Sequence, residues 1–502
     1  MNSFYEELQN GNNIRENLIQ LKKQWQDKND MEEFQQEYQD AVSEFLRLLS
    51  HQDAKIRKNS ALLIGMLKDQ SSLQQLWSVY KEEQTRFVKS AYLKAMAQLD
   101  CMELKEEIQL HYKQLMEYQP AQDELKHIQE ERQQLLGILS KLGALKKHKF
   151  IGYERKNQLL FTAGHGVRET LAAELKNYTE DEDQQQLHPL GVMVDTCHME
   201  KIMQARCYRE MLFLLKGNHH LPQDPSIIAG ELAASNLLQI LEECHQGEAP
   251  FYFRLEIRSR MNLEEKSNFA KKLAGELEQI TSQKLQNSTK GYEIELRFIE
   301  NKEGTFFPCL KLYTLRDHRF SYRRETIASA MHPALAAALM EMADPYLEED
   351  AIVLDPFCGT GTLLIERQKH LSLRDCYGVD IFGEAIRCAR INTASAGYEI
   401  NYITRDYFEF TSRHLFDEVF ADFPVRGKKT REEQDKFYTS FFDQVETMMQ
   451  PHGKLFLYTN ESGFVKKNLR LHPDFILKKE VEIRKKDGSC FFIIEYAKGK
   501  RP

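Results

Sequence analysis

The sequence predicts an α/β protein: an open, Rossmann-like parallel sheet at the C-terminus, preceded by an α+β region and an all-helical N-terminal region. Three observations predict it. AIVLDPFCGTGTLLIE (residues 351–366) reads as a short apolar strand, a glycine-rich turn and a helix, the unit that opens a nucleotide-type sheet. Successive strand candidates then end in aspartate, at Asp355, Asp380, Asp406 and Asp422. Residues 1 to about 145, by contrast, hold almost no strand-like run and are rich in Gln, Glu, Leu and Lys at helical spacing.

In the helical region, 1–148, KIRKNSALLIGMLKD (residues 55–69) and RFVKSAYLKAMAQLD (residues 86–100) are alike. Aligning Ser60-Ala61 with Ser90-Ala91 also aligns Leu63 with Leu93 and Gly65 with Ala95, a spacing typical of stacked helical pairs. With Asp53 and Arg57 in the first copy, the segment resembles HEAT repeats, whose small residues let paired helices approach closely. The competing reading is an ordinary helical bundle. Either predicts a scaffold or docking surface, with a protein partner among its expected ligands.

The middle region, 155–325, alternates. QLLFTAGHGVRETLAAELKNY is strand, glycine turn and helix; EDEDQQQ is an acidic loop; LGVMVDT is a strand; MEKIMQARCYREMLFLL grades from helix to strand; GNHHLPQDPS is a loop. FYFRLEIRSR and GYEIELRFIE alternate apolar positions and bracket a helix around Lys266 to Ile280. This α+β order resembles the N-terminal region of THUMP-containing RNA methyltransferases, which implies an RNA-binding region.

In the last region, 326–502, Gly359 and Gly361 let backbone approach a ligand. CYGVD ends in Asp380, placed to accept from ribose hydroxyls, and helix GEAIRCARINTASAG stops at Gly397. NYITRD, DEVFAD and GKLFLYT supply three further strands. The dinucleotide fingerprint wants a third glycine where this chain has Leu364, which disfavours a nicotinamide or flavin enzyme. DPFCGTGTLLIE instead resembles the first motif of class I S-adenosylmethionine-dependent methyltransferases acting on amino nitrogen. KKEVEIRKKDGSCFFIIEY, turning at Asp487-Gly488, matches the antiparallel hairpin that closes that fold. RRETIASAMHPALAAALMEMA looks like the helix leading into it. Over residues 155–498 the chain resembles THUMP-type RNA guanine-N2 methyltransferases. The resemblance implies S-adenosylmethionine held by Asp355, Phe357, Gly359, Thr360, Gly361, Asp380, Ile381, Asp406, Tyr407 and Asp422, and methylation of guanosine N2 in tRNA or, second, ribosomal RNA.

In FADFPVRGKK (residues 420–429) that family has Asn or Asp, any residue, Pro, then an aromatic. An exocyclic amine is a poor nucleophile because its lone pair is delocalised into the ring. Asp422, with the Phe423 carbonyl, is expected to accept its protons, and Pro424 fixes the chain direction. Val425 is the departure, standing where an aromatic would stack on the base, a contact worth roughly 1–3 kcal/mol. Phe423 or Phe408 is the candidate replacement ring. Rival readings are an adenine-N6 or protein-glutamine methyltransferase, and a non-catalytic RNA-binding or assembly factor that keeps the pocket as a folding element.

The remaining candidates are weaker. Cys358 reads as a small residue beside the cofactor, and the carbon-methylating enzymes need Cys at the position of Val425. His219 and His220 lack a matching ligand pair, so no metal is expected. Basic clusters fall at Lys146, Lys147, Lys149, Arg155 and Lys156; at Arg316, Arg319, Arg323 and Arg324; and at Arg426, Lys428, Lys429 and Arg431, the last placed to meet an entering RNA backbone. The net charge of -8 is not that of a general nucleic-acid binder. Nine scattered cysteines without CxxC spacing argue for a reducing cytoplasm, an acidic start lacks the pattern of a secretory signal, and no apolar run is long enough for a membrane span.

Overall fold

The computed structural model describes residues 7, 11–26, 41–118, 120–121, 123–143, 148–425, 427 and 430–497. The chain forms two compact units, Met1–Lys149 with Lys216–Pro308, and Phe150–Leu215 with Cys309–Pro502. The α+β region at 155–325 is therefore divided between them. No helix among the described residues is long and apolar enough to cross a membrane.

In the first unit, helices Ala54–Leu67 and Arg86–Met96 pack together, and their aligned small residues meet each other: a Cβ on Gly65 would lie 2.6 Å from the Ala95 Cα. Asp53 caps the first of these helices by accepting from the Lys55 amide. Arg57 grips Glu83 through two hydrogen bonds of 2.8 Å, and the Tyr92 hydroxyl also donates to Glu83. Burial opposes the charge on Glu83, but those donors hold its carboxyl below the ordinary range. Beyond the helices, strand Phe251–Arg258 pairs in parallel with Leu285–Asn287 and Ile294–Glu300, and Tyr252 joins the helical core.

The second unit holds two sheets. One is antiparallel, with Gln184–His188 at its edge, then Gly191–Thr196, Asn157–Thr162 and Met211–Leu214, the last paired to Cys309 and Leu310. Its edge strand lies where the sequence reads as an acidic loop. This edge strand has no buried face, its one apolar residue, Leu187, being 52% exposed, so it leaves no alternation to detect.

The other sheet positions the site. Its strands are β1 (Ala351–Asp355), β2 (Leu373–Asp380), β3 (Asn401–Thr404), β4 (Phe416–Asp422), β5 (Met449–Thr459), β6 (Phe475–Arg484) and β7 (Ser489–Tyr496). They lie in the order β3-β2-β1-β4-β5-β7-β6. β1 to β5 are parallel, and β7 runs antiparallel between β5 and β6, as the expected closing hairpin requires. Helices α1 (Pro333–Ala343), α2 (Thr362–His370), α3 (Gly383–Ala396), α4 (Arg431–Met448) and α5 (Ser462–Leu471) accompany it. Strands covered on both faces read as continuous apolar runs, which is why β1, β4 and β5 were visible in sequence.

Two buried ion pairs lock α2. Arg367 donates twice to Glu418 on β4, at 2.7 and 2.9 Å, with both side chains fully buried. On another side Glu366 accepts from Arg206 at 2.8 Å and from the Tyr322 hydroxyl at 2.6 Å. Glu418 also accepts from the Glu348 amide at 2.8 Å, which further offsets the cost of burying its charge.

Candidate active site at the carboxyl edge of the parallel sheet

Parallel strands leave their carboxyl ends open where the strand order reverses, here between β1 and β4. Asp355, Asp380 and Asp422 are the last residues of β1, β2 and β4, and Asp406 follows β3 by two positions. They are not equivalent. Asp355 is buried and accepts from the Phe357 amide at 3.0 Å, so it shapes the turn; burial pushes its carboxyl well above the ordinary range. Asp380 is half-buried and accepts from the Gly359 and Phe382 amides at 2.9 and 2.8 Å. Asp406 is half-buried and accepts from the Phe408 amide at 3.0 Å.

The two glycines of the turn differ too. Gly359 has φ +52°, and a Cβ there would meet nothing within 4 Å, so open space lies over it. Gly361 has φ +76°, but a Cβ there would lie 2.1 Å from the Tyr402 hydroxyl. Its glycine is demanded by internal packing, whatever a ligand requires. Thr360 is buried with its hydroxyl 3.3 Å from that of Thr362.

Large apolar groups stand unusually exposed beside the open cradle. Ile381 is 61% and Phe382 71% exposed at the end of β2. Tyr407 is instead buried, its ring 5.6 Å from Phe357, and its hydroxyl has no hydrogen-bond partner among the described residues. A cradle with half-buried acceptors, exposed apolar side chains and an orphaned hydroxyl suits a ligand carrying hydroxyls and a flat apolar group.

Asp422 faces a cavity of about 480 Å3, the size of a small-ligand site. Burial pushes its carboxyl up to about 7, against the pull of Arg484. Arg209, His332, Tyr458 and Arg484 also line this cavity. The Arg484 guanidinium donates to the Tyr458 hydroxyl at 2.9 Å and pairs with Asp487 at 3.2 Å. His332 caps α1, its Nδ1 accepting from the Ala334 amide at 3.2 Å. Burial and the neighbouring arginines push it down to about 4, so it is neutral, with its proton on Nε2. Gly164 contributes a wall, and the loop carrying it is pressed onto β6 so closely that a Cβ on Gly166 would lie 1.9 Å from the Glu482 carbonyl oxygen. These residues come from separate segments, and none had a spacing signal that could have found it.

Around Asp422 the two candidate replacement rings part company. Phe423 is buried among Phe357, Tyr438 and Phe441, with its amide donating to the Tyr458 carbonyl, so its ring belongs to the core. Phe408 is 36% exposed, Pro424 is exposed, and Val425 is 76% exposed. Cys358 is a buried thiol pushed well above its ordinary range, unsuited to attack.

The basic clusters resolve unevenly. Arg319 lies 3.4 Å from the centre of the Tyr208 ring, donates to the Tyr208 carbonyl and pairs with Asp317, so it is internal mortar and not an RNA-facing cation. Arg324 donates to Ser395 at 3.1 Å. Lys146, Lys147, Arg426, Lys428 and Lys429 lie outside the described residues, and Arg431 begins α4.

Comparison with known proteins places this geometry. Residues 321–487 match the family described as RMKL-like, methyltransferase domain. Among solved structures, TrmN from Thermus thermophilus is similar at 20% identity and a TM-score of 0.50, over 68% of this chain and 99% of that one. SMU.472, whose structure is described as complexed with SAH, is similar at 14% identity and a TM-score of 0.52, over 71% of this chain and 100% of that one. A protein from Listeria monocytogenes whose structure is described as that of a predicted N6-adenine-specific DNA methylase is similar at 15% identity and a TM-score of 0.50, over 68% of this chain and 96% of that one. At these identities the structural likeness is one of fold. It agrees with the match of residues 321–487 to a methyltransferase domain: the C-terminal part of the chain has the class I methyltransferase fold, which implies S-adenosylmethionine as methyl donor.

Proposed function

We propose that the protein methylates an exocyclic nitrogen of a base in RNA, with N2 of guanosine in tRNA as the target. The observation that carries this reading is Asp422, a carboxylate at the end of β4 facing a cavity of base-sized capacity beside the cofactor edge. S-adenosylmethionine supplies an electrophilic methyl group when bound. Asp380 and Asp406 would accept from its hydroxyls, the open space over Gly359 would admit it, and the exposed Ile381 and Phe382 would offer its flat ring an apolar surface. Asp422 orients the amine, offsets the positive charge that develops on its nitrogen and accepts the proton that nitrogen sheds.

The cavity's donor and acceptor set favours guanine over adenine. An ionised carboxylate only accepts, and guanine's N1 and N2 edge offers hydrogens at both atoms. Adenine's N1 and N6 edge pairs a donor with a lone pair, which the carboxylate would repel. Arg209 and the neutral His332, which line the same cavity, are donors of the kind guanine O6 and N7 accept from.

The second reading, an RNA-binding factor without activity, draws support from Val425 and from Phe423 being committed to the core. Mass spectrometry of nucleosides from tRNA and rRNA of deletion and parent strains separates the two. Loss of N2-methylguanosine from tRNA is the expected result. If no modified nucleoside changes while purified protein binds the cofactor, the reading as an enzyme fails.

A further inference from the structure

The first unit carries a cavity of about 630 Å3 that the methyl-transfer chemistry leaves unused. Lys22, Lys68, Lys94, Lys141 and Lys290 line it, and no acidic residue does. The chain as a whole has 76 acidic residues against 68 lysines and arginines, so a lining of one sign departs from the surface average. Lys22 comes from helix Ile14–Gln26, Lys68 and Lys94 from the ends of the two similar helices, Lys141 from helix Leu125–Lys141, and Lys290 from the segment after strand Leu285–Asn287.

Helix dipoles account for part of this. Lys68, Lys94 and Lys141 sit at helix C-termini, where cations are favoured, and Lys141 donates to the Ala97 carbonyl. Lys22, just before the last turn of its helix, donates to the Asn59 side-chain oxygen at 3.2 Å, whereas Lys290 lies on a loop with no helix end to complement. Lys68, Lys94 and Lys290 are exposed, with no ion pair among the described residues. The floor is apolar and close-set, where Gly65 meets Ala95. Gln98, Gln133 and Gln134 add side-chain amides, and no aromatic residue lines the cavity.

We infer that this lysine-lined groove binds the phosphodiester backbone of the RNA substrate. Lysine ammonium groups are hydrated point charges, suited to phosphate oxygens without base readout. Lacking an aromatic platform, the groove has nothing on which to stack a splayed base, so it holds RNA by charge, independently of sequence. It thus supplies affinity, and the cavity at Asp422 supplies selection.

The inference rests on RNA as the substrate class, and its test keeps the two apart. Full-length protein with Lys68, Lys94 and Lys290 all changed to Gln is compared with wild type and with the triple Lys→Arg protein. The readout is binding to a fluorescein-labelled RNA duplex of 20 base pairs across a salt series. Each neutralised phosphate contributes nearly one unit to the salt slope, so the Gln variant should bind on the order of tenfold more weakly with a slope shallower by about 2 to 3. The Arg variant should match wild type. Fluorescence of Trp25 and Trp77, in the same unit, checks that it stays folded. Wild-type binding that the Gln variant reproduces in affinity and slope overturns the groove and leaves RNA as the substrate. Wild type that retains no duplex at any salt overturns the groove, while the substrate class stands or falls on the nucleoside analysis above; retention of poly-glutamate instead assigns the groove to an acidic protein partner.

Discussion

Replacing Asp422 by Asn should make the protein more stable and inactive together. The carboxyl lies at about 7 in the folded protein against an ordinary 3.8. A raised acid opposes folding once it ionises: the penalty is absent below 3.8, grows as pH rises from there, and is complete above about 7. Roughly three units at about 1.4 kcal/mol each give about 4 kcal/mol at most. The side chain is only half-buried, and solvent screening trims this to about 1–3 kcal/mol. Both tryptophans lie in the first unit, so their fluorescence does not report this strand. Hydrogen exchange of β4 peptides at pH 5, 6, 7 and 8 does. Protection in Asp422→Asn should exceed wild type increasingly up to pH 7 and then level off. For the wild type, methyl transfer should rise with pH through 7 as the carboxylate forms. A stability difference that does not change with pH, or one that favours wild type at pH 8, would refute the argument that burial loads this residue.

Three further outcomes follow from the geometry. Glu418→Ala leaves the Arg367 guanidinium buried and uncompensated, at a cost of about 3–5 kcal/mol; thermal melts should show early loss of the catalytic sheet while Trp25 and Trp77 melt as in wild type. Gly361→Ala strains a φ of +76° and also drives a Cβ against Tyr402, so it should lower the melting temperature most; Gly359→Ala carries only the left-handed backbone strain of its φ of +52°, about 1–2 kcal/mol, and should also weaken S-adenosylmethionine in calorimetry. Val425→Tyr restores a ring at an exposed position and should tighten RNA by up to about 1–3 kcal/mol, read as a lower KM at unchanged cofactor affinity.

What could be read in the chain alone was local. The catalytic sheet announced itself because buried parallel strands are continuous apolar runs, and because a turn such as DPFCGTG needs glycine wherever φ is positive. Asp422 was legible for the same reason, as the polar residue that ends an apolar strand. Polar residues whose partners are distant in sequence leave no such trace. Arg319 looked like a solvated cation and is buried against Tyr208; Asp355 looked like one more acceptor on the rim and is buried, accepting from the Phe357 amide of its own turn. Only folding gathers Gly164, Arg209, His332, Tyr458 and Arg484 about Asp422, and only folding draws lysines from separate helices and a loop around one groove. Periodicity records which face of an element is buried, but a site depends on which elements meet, and that is decided by packing among segments hundreds of residues apart.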